Sequence, residues 1–299
     1  MAESSIPVDL LNPGQVFACL GLLELADKFL GNAQGAFDWS DGSDIRFHVR
    51  ASGDKCPVSS AIEFFRGATV NSISPSRDTL STDGWNVATT QLDSNKDAFP
   101  FPTPDSPATL PVCLTSGDRQ IEILHWGDDI PTSGRDNVKF WAGAGGYPGA
   151  ALAQDALALI KVMPVEIAAD PLNAPARQSS SFRFDWRRDY VPLDIGFSLN
   201  AHSGDRFCTI GYPIVEMLAA IGLTHARPQR VSRFNKLEYH YGVVSIGDRK
   251  ELLDPIFHRA ALGIAPLPFP RRVFQMNLGW PGKEGQARCI TTVEELFLS

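Results

Sequence analysis

The chain has 299 residues, of which 43% are hydrophobic and 20% charged, and its formal net charge is −7 at pH 7. This length and composition are typical of one large or two modest globular domains and exclude a wholly disordered chain. The acidic balance counts against a protein that coats DNA on its own, because such proteins carry a broad basic surface.

The first predicted elements combine a helix with short strands. After Pro13, apolar residues recur at helical spacing, and Gly31 suits the end of that helix. Strands are predicted at Phe37–Trp39 and Ile45–Val49, and the second alternates apolar and polar residues as a half-buried strand does. Ser59–Arg66 is predicted to form a short helix.

The middle of the chain is rich in turn-forming residues. Asn71–Leu110 is rich in Ser, Asp, Thr and Pro, and its Phe99–Pro107 stretch is predicted to be a long, partly extended loop because it contains too much proline for a helix or a central strand. A strand follows at Gln120–Trp126. The glycine-rich loop Gly143–Gly149 then leads into a helix predicted at Gly149–Val162.

The second half begins with a Pro/Ala/Ser-rich connection, Met163–Ser181. A helix is predicted at Pro213–Leu223 and a terminal helical turn at Thr292–Leu298. Four strands are predicted in this half: Ser181–Trp186, Phe207–Ile210, Leu237–Val244 and Arg271–Leu278.

This mixed order predicts an α+β fold with mixed or antiparallel sheets, several short helices begun by proline, and long Pro/Ser-rich loops. We expect an acidic N-terminal α+β region at residues 1–162, a connecting segment at 163–180 and a more basic C-terminal α+β region at 181–299. The two regions can also form one integrated domain.

Cysteine usage and hydropathy indicate the compartment. The five cysteines are scattered and form no C-x-x-C pair, a pattern typical of reduced intracellular thiols. The apolar run Val16–Leu25 is too short to span a bilayer, and no basic segment precedes it. We therefore expect a cytoplasmic protein without a membrane partner.

Local enzyme signatures are scarce. The chain contains no Walker A, nucleophile-elbow or H-E-x-x-H motif. His125, Asp128 and Asp129 would suit a metal-dependent nuclease, but they also suit a solvated acidic turn. The Gly143–Gly149 loop would admit a phosphate or a small ligand, or simply pack tightly under a helix. We predict a non-catalytic protein without cofactor or metal, with the nuclease as the alternative.

The charge is unevenly distributed along the chain. Residues 1–160 contain 10 Lys and Arg against 20 Asp and Glu, whereas residues 161–299 contain 17 against 14. Such asymmetry is compatible with an acidic protein-facing surface and a surface that faces a polyanion, and also with chance variation over solvated faces.

One basic stretch lies at Ser181–Arg187. In a strand, Phe182, Phe184 and Trp186 would point to one side and support a row of Arg183, Asp185 and Arg187 on the other. Guanidinium groups in such a row suit phosphate oxygens. The alternative is an Arg–Asp ladder that faces solvent.

A second basic stretch follows the predicted helix at Pro213–Leu223. Pro228 indicates a loop here, and an acid-free basic loop would clamp a polyanion or remain an ordinary exposed loop. The candidate nucleic-acid-binding residues from both stretches, and from the region beside the glycine-rich loop, are Arg135, Asn137, Lys139, Arg183, Arg187, Arg188, Arg227, Arg230, Arg233 and Lys236.

The most distinctive segments of the chain are Ile6–Ala26, Gly134–Gly149, Gln178–Tyr190, Gly222–Arg230 and Leu278–Gly282. Together they resemble CRISPR-associated proteins of type I-G (formerly type I-U) systems, and the resemblance covers nearly the whole chain.

The resemblance implies a subunit of the crRNA-guided surveillance complex, Cascade, in the large-subunit position. It implies contributions to protospacer-adjacent-motif recognition, target DNA binding and recruitment of the helicase-nuclease. The implied partners are the other CRISPR effector subunits, the crRNA and the target DNA. The chain is short for a large subunit and lacks an obvious C-terminal helical bundle. An RNA-binding backbone or crRNA-processing subunit is therefore the alternative.

Overall fold

The computed structural model describes residues 1–99, 104, 106–124, 128–130, 134–136, 147–178, 180–188, 209–232, 234–245, 251–280 and 288–297. Helices and mixed or antiparallel sheets alternate along these residues, which confirms the predicted α+β fold. Within these ranges, no helix has both the length and the hydropathy needed to cross a membrane.

Two almost fully buried helices, α1 (Pro13–Leu30) and α4 (Pro213–His225), pack against each other in the core. Both begin at the predicted proline, whose fixed φ suits the first helical turn and whose missing N–H is not needed there. Their backbones touch at Gly21 and Gly222. A Cβ added at Gly21 would lie 1.8 Å from the carbonyl oxygen of Leu218. Only glycine permits this crossing.

Three further helices surround this pair: α2 (Pro57–Gly67), α3 (Gly149–Val162) and α5 (Pro255–Leu262). The first two confirm their predicted helices, and α5 was not predicted because it is short. A charged pair ties α5 to α1, since Arg259 donates two hydrogen bonds of 2.6 Å to the buried Glu24 carboxylate.

The N-terminal sheet is antiparallel and contains β1 (Ala2–Pro7), β2 (Gln34–Asp38) and β3 (Arg46–Ala51) in the order β1-β3-β2. Phe47 and Val49 of the central strand are buried, while its intervening residues are partly exposed. The alternation in the sequence therefore predicts this strand correctly.

A second sheet contains β4 (Thr69–Ser74), β5 (Ala88–Gln91), β6 (Val112–Ser116) and β7 (Arg119–Ile123), in the order β5-β4-β6-β7. Its first two strands, which pair in parallel, lie inside the segment 71–110 or at its border. Neither strand is predicted from the sequence. These strands are polar and lack regular alternation, so backbone pairing rather than side-chain pattern defines them.

Two small sheets consist of strand pairs. One pairs β8 (Asp128–Ile130) with β9 (Gly134–Asp136), and the other pairs β10 (Ala176–Arg177) with β11 (Ile210–Gly211). The second pair connects the segment after α3 to the segment that enters α4.

The C-terminal sheet contains β12 (Gln229–Ser232), β13 (Asn235–Val244), β14 (Arg271–Gly279) and β15 (Cys289–Leu296), antiparallel and in chain order. Two predictions are wrong here. The terminal helical turn is the strand β15, because pairing with β14 outweighs the local helical pattern. The basic loop after Pro228 is instead the edge strand β12, which forms a hairpin with β13.

A single main core joins both halves of the chain. Its buried apolar residues extend from Ile6 to Ile290. The rings of Phe17 on α1 and Tyr241 on β13 meet edge to face at 6.0 Å, and the Tyr241 hydroxyl donates a 2.7 Å hydrogen bond to the carbonyl oxygen of Leu10. The C-terminal sheet is thereby fixed to the N-terminal helix.

The segment 181–188 contains no strand, so the strand predicted there is wrong. Arg183 has a φ of +63°, which interrupts extended backbone, and Trp186–Arg188 form a short 3-10 helix. Phe182 and Phe184 are both buried, and their rings stack at 5.6 Å. Asp185, expected on a polar face, is fully buried.

Candidate nucleic-acid interface

The segment 181–188 is shaped by a buried carboxylate in the first turn of α4. Glu216 is fully buried, and its two oxygens accept hydrogen bonds from the backbone N–H groups of Phe184 (3.4 Å) and Asp185 (3.1 Å). Backbone donors bound in this way cannot join a β-ladder. This contact, made over about thirty residues of sequence, therefore explains why the segment is not a strand.

Arg187 is held by residues from three segments of the chain. Its Nε and Nη2 donate to the carboxylate of Asp185 at 2.9 and 2.6 Å. Its Nη1 donates to Oδ1 of Asn173 at 2.6 Å, and Nη2 also donates to the carbonyl oxygen of Leu172 at 2.7 Å. The guanidinium carbon lies 3.5 Å from the ring centre of Tyr212. Most of the guanidinium's donors are thus engaged inside the protein.

The residue before α1 completes this network. Asn12 is fully buried, and its Nδ2 donates a 3.0 Å hydrogen bond to Oδ1 of Asp185. A Cβ at Gly14 would lie 2.4 Å from the carbonyl oxygen of Phe184, so glycine lets α1 begin directly against this segment. The N-terminal motif and the 178–190 motif, which are distant in sequence, therefore form one unit.

A cleft of about 320 Å³ opens beside this unit. Arg187 and Asn173 line one part, and Asp9, Gln15 and Asp44 line another. The Gln15 side chain accepts a 2.7 Å hydrogen bond from the backbone N–H of Asp9. Because its walls carry both acids and an arginine that already binds a carboxylate, the cleft is not suited to phosphate.

Arg183 and Arg188 flank Arg187 in different ways. Arg183 is partly exposed, and its backbone N–H donates a 3.1 Å hydrogen bond to the hydroxyl of Ser181. Arg188 is the last residue of the short 3-10 helix. The predicted row of basic side chains on a flat strand is therefore not present, although Arg183 reaches the surface.

The second basic stretch forms the β12–β13 hairpin at the edge of the C-terminal sheet. Arg230 pairs with Tyr239 across the two strands and is partly exposed, and Lys236 lies in β13. Arg227 precedes the hairpin, and burial lowers the pKa of its guanidinium. Arg233 lies outside the described residues.

The turn of this hairpin is ordered by local hydrogen bonds. Ser232 and Asn235 are partners in register, and the Ser232 hydroxyl accepts a 3.3 Å hydrogen bond from the backbone N–H of Phe234. The Asn235 side chain accepts a 2.9 Å bond from the N–H of Leu237 and donates a 2.9 Å bond to Glu238. Phe234 itself is 89% exposed.

Two features of this region, the buried Glu216 carboxylate and the exposed Phe234 ring, are not predicted in the sequence analysis. The role of Glu216 depends on a contact distant in sequence, and no local pattern signals it. Phe234 did carry a signal, because it is an aromatic residue inside an acid-free basic stretch.

The region around the glycine-rich loop is described only in part. Arg135 lies in β9 and pairs with Asp129 of β8, whereas Asn137 and Lys139 lie outside the described residues.

The end of the glycine-rich loop is joined to the segment that leads into 181–188. Tyr147 and Ser180 both donate hydrogen bonds to Oδ2 of Asp155 on α3, at 2.9 and 2.6 Å. Burial and the Asp155 carboxylate raise the pKa of Tyr147 to about 12, so Tyr147 remains a donor at neutral pH.

The residues of the alternative nuclease site are only partly described. Asp128 and Asp129 lie in β8, and His125 lies outside the described residues. In the part of the chain that the structure covers, no group of three or more His, Cys, Asp or Glu side chains is arranged to hold a metal ion.

Comparison with known proteins gave no match, whether with protein-family models, curated proteins or solved structures. The function is therefore inferred from the residues of this chain and their geometry.

Proposed function

We propose that the protein is a non-catalytic subunit of a type I-G CRISPR surveillance complex, Cascade, which acts in antiviral defence in the cytoplasm. In this role it binds nucleic acid together with the other effector subunits and the crRNA. It contributes to recognition of the protospacer-adjacent motif and to holding the target DNA, and it provides a surface for the recruited helicase-nuclease.

The main support is the β12–β13 hairpin. Residues 224–237 contain Arg227, Arg230, Arg233 and Lys236 and no acidic residue. The hairpin lies at one edge of the C-terminal sheet. One face of that sheet is fixed to the core through Tyr241. A mainly basic sequence at the edge of a rigid sheet suits contact with a phosphate backbone, which supplies affinity without reading sequence.

The convergence of the motif segments provides further support. Ile6–Ala26 and Gln178–Tyr190 meet through Asn12 and Asp185, and Gly222 touches the middle of α1. Segments that resemble one family thus build a single structural unit.

The overall charge fits a subunit better than an independent DNA-binding protein. In a guided complex, base pairing with the RNA reads most of the sequence, and protein subunits hold the backbone and read a short duplex motif. A net charge of −7 opposes independent binding to DNA but is compatible with a local basic contact inside an assembly.

Co-expression with the other subunits of a type I-G effector tests the proposal. Affinity purification of this chain should recover those subunits together with guide RNA, identified by sequencing. A double reversal in the hairpin, Arg230→Glu with Lys236→Glu, should reduce the recovered RNA several-fold. The matched control, Lys96→Glu with Lys161→Glu, makes the same charge change at two exposed lysines elsewhere and should leave recovery unchanged. Recovery of neither subunits nor RNA would overturn the proposal.

A further inference from the structure

The cleft beside the 181–188 segment has an almost buried amide in its wall. Gln15 is only 3% exposed, and it lines the cleft. Its Oε1 accepts the hydrogen bond from the backbone N–H of Asp9 at 2.7 Å, which fixes the orientation of the amide. Among the described residues Nε2 has no hydrogen-bond partner, and it is not fully enclosed by protein. The Nε2 donors therefore face the cleft without an acceptor.

The acidic side chains of the cleft leave a negative charge unpaired. Asp9 and Asp44 both line it. Asp44 already forms an ion pair of 3.2 Å with Arg46. Oδ1 of Asp9 accepts a 2.9 Å hydrogen bond from the backbone N–H of Leu11, but the Asp9 carboxylate forms no ion pair with any described residue. Asp9 is therefore the carboxylate that is available to a cation.

The arginine of the cleft does not cancel this charge. The buried Asp185 carboxylate balances Arg187 through hydrogen bonds of 2.9 and 2.6 Å, and Nη1 of Arg187 also donates to Asn173. The cleft as a whole therefore favours a cation. Its apolar lining residues, which suit methylene groups, are Pro7, Val8 and Ile45.

We infer that the cleft binds an alkylammonium group on a methylene chain that also carries an amide carbonyl, which is the chemistry of a lysine residue. The ammonium lies against the Asp9 carboxylate, the methylenes cover the apolar lining, and the carbonyl oxygen accepts a hydrogen bond from Nε2 of Gln15. The cleft volume of about 320 Å³ is at the small end of the range for ligand pockets and suits a ligand of this size. The inference does not depend on the proposed function.

Titration of the purified full chain with Nα-acetyl-lysine methylamide, followed by nuclear magnetic resonance, tests the inference. This probe has the ammonium and the amide carbonyls but no backbone charge. It should bind saturably and shift the backbone amide resonance of Asp9, whose N–H is bound to Gln15. The Nε-acetylated analogue lacks the positive charge and should bind about 5-fold more weakly. Pentylamine lacks the carbonyl and should also bind about 5-fold more weakly.

Two variants remove one contact each. Asp9→Asn keeps an oxygen for the N–H of Leu11 and removes the charge, so it should bind the capped lysine about 5-fold more weakly and the Nε-acetylated analogue as wild type does. Gln15→Glu keeps an oxygen for the N–H of Asp9 and removes the donor, so it should abolish the preference for capped lysine over pentylamine. Asp54→Asn makes the same charge change as Asp9→Asn at an exposed position and should bind as wild type does.

Thermal melting checks that each variant is folded. If Gln15→Glu does not fold, the pentylamine comparison on the wild-type protein still tests the carbonyl contact, and Asp9→Asn still tests the charge. The inference is overturned if the capped lysine does not bind saturably, if its Nε-acetylated analogue binds equally well, or if Asp9→Asn binds it as tightly as wild type does.

A further probe distinguishes the two sources of this chemistry. A capped pentapeptide with a central lysine between alanines should bind more than 10-fold tighter than the capped single residue if the cleft receives a segment of a partner protein. Equal affinities would indicate a free small molecule. Both results support the assignment of the cleft, because in both cases the binding requires the ammonium and the carbonyl.

Discussion

Arg187 binds Asp185, two residues earlier in the chain, through hydrogen bonds of 2.9 and 2.6 Å, and Asp185 is fully buried. The same carboxylate receives a hydrogen bond from Asn12 at the start of α1. The pair therefore fixes the 181–188 segment to the N-terminal motif. Most N–H donors of the Arg187 guanidinium bind acceptors within the protein, so the side chain stabilises the fold and offers few donors to a phosphate.

Arg187→Ala should lower the free energy of unfolding by about 3 kcal/mol, because it leaves the buried Asp185 charge without its cation. Chemical denaturation measures the loss. The double variant Arg187→Ala with Asp185→Asn should lose less unfolding free energy than the sum of the two single losses, because it removes both charges and leaves neither one unpaired. Additive losses would show that the pair is not coupled.

The same pair determines how the predicted basic row is tested. A triple reversal of Arg183, Arg187 and Arg188 to Glu would place two carboxylates side by side at the buried position. If that variant failed to bind a polyanion, the cause could be unfolding of the segment rather than loss of a direct contact. Arg183→Glu alone, with thermal melting as the check, is the sharper test of this surface.

The helix crossing provides a second prediction. Gly21→Ala should lower the free energy of unfolding by about 3 kcal/mol or more, because the added methyl overlaps a backbone carbonyl that cannot move aside. For a chain of this length such a loss lowers Tm by about 5 °C. Gly42→Ala is the control, since a Cβ there meets nothing within 4 Å. Equal melting temperatures for the two variants would contradict the close crossing.

The sequence predicts much of the helical framework for a local reason. Proline at Pro13 and Pro213 marks helix starts through its own backbone geometry, which requires no distant partner. The alternation around Phe47 likewise reports a half-buried strand. These predicted elements are present in the structure because the local backbone preference and the tertiary packing favour the same conformation.

The candidate site is less predictable because contacts distant in sequence shape it. Glu216 binds two backbone N–H groups of the segment 181–188, whose sequence pattern predicts a strand. Pairing with β14 makes a strand of β15, whose sequence pattern predicts a helical turn. The sequence pattern predicts Arg187 as a phosphate contact, and it does not reveal that the guanidinium donors are turned inward. Hydrophobic periodicity carries no information about such partners.

A buried histidine predicts how stability responds to acid. The Nε2–H group of His258 donates a 2.8 Å hydrogen bond to the carbonyl oxygen of Gly35, and burial lowers the pKa of His258 from 6.5 to about 4. The unfolded chain therefore binds this proton at a higher pH than the folded chain does. The resulting stabilisation is complete above about pH 6.5 and is lost as the pH falls toward 4.

Between pH 7 and pH 5, His258 should account for about 2 kcal/mol of lost unfolding free energy. Urea denaturation at the two pH values measures the total change. In His258→Gln, whose side-chain amide can still donate to Gly35 and does not titrate, the change should be smaller by about that amount. An unchanged pH dependence in this variant would show that another group is responsible.

The salt dependence of binding tests whether the hairpin contacts phosphates directly. For single strands, the slope of log K against log salt falls by about 0.7 for each phosphate contact removed. Arg230→Gln should therefore reduce the slope by about this amount. Arg272→Gln is the control in the same sheet, because its guanidinium is already paired with Glu295 at 2.6 Å. That variant should leave the slope unchanged. Equal effects of the two substitutions would indicate a general response to net charge, and the phosphate contact would then have to be sought away from the β12–β13 hairpin.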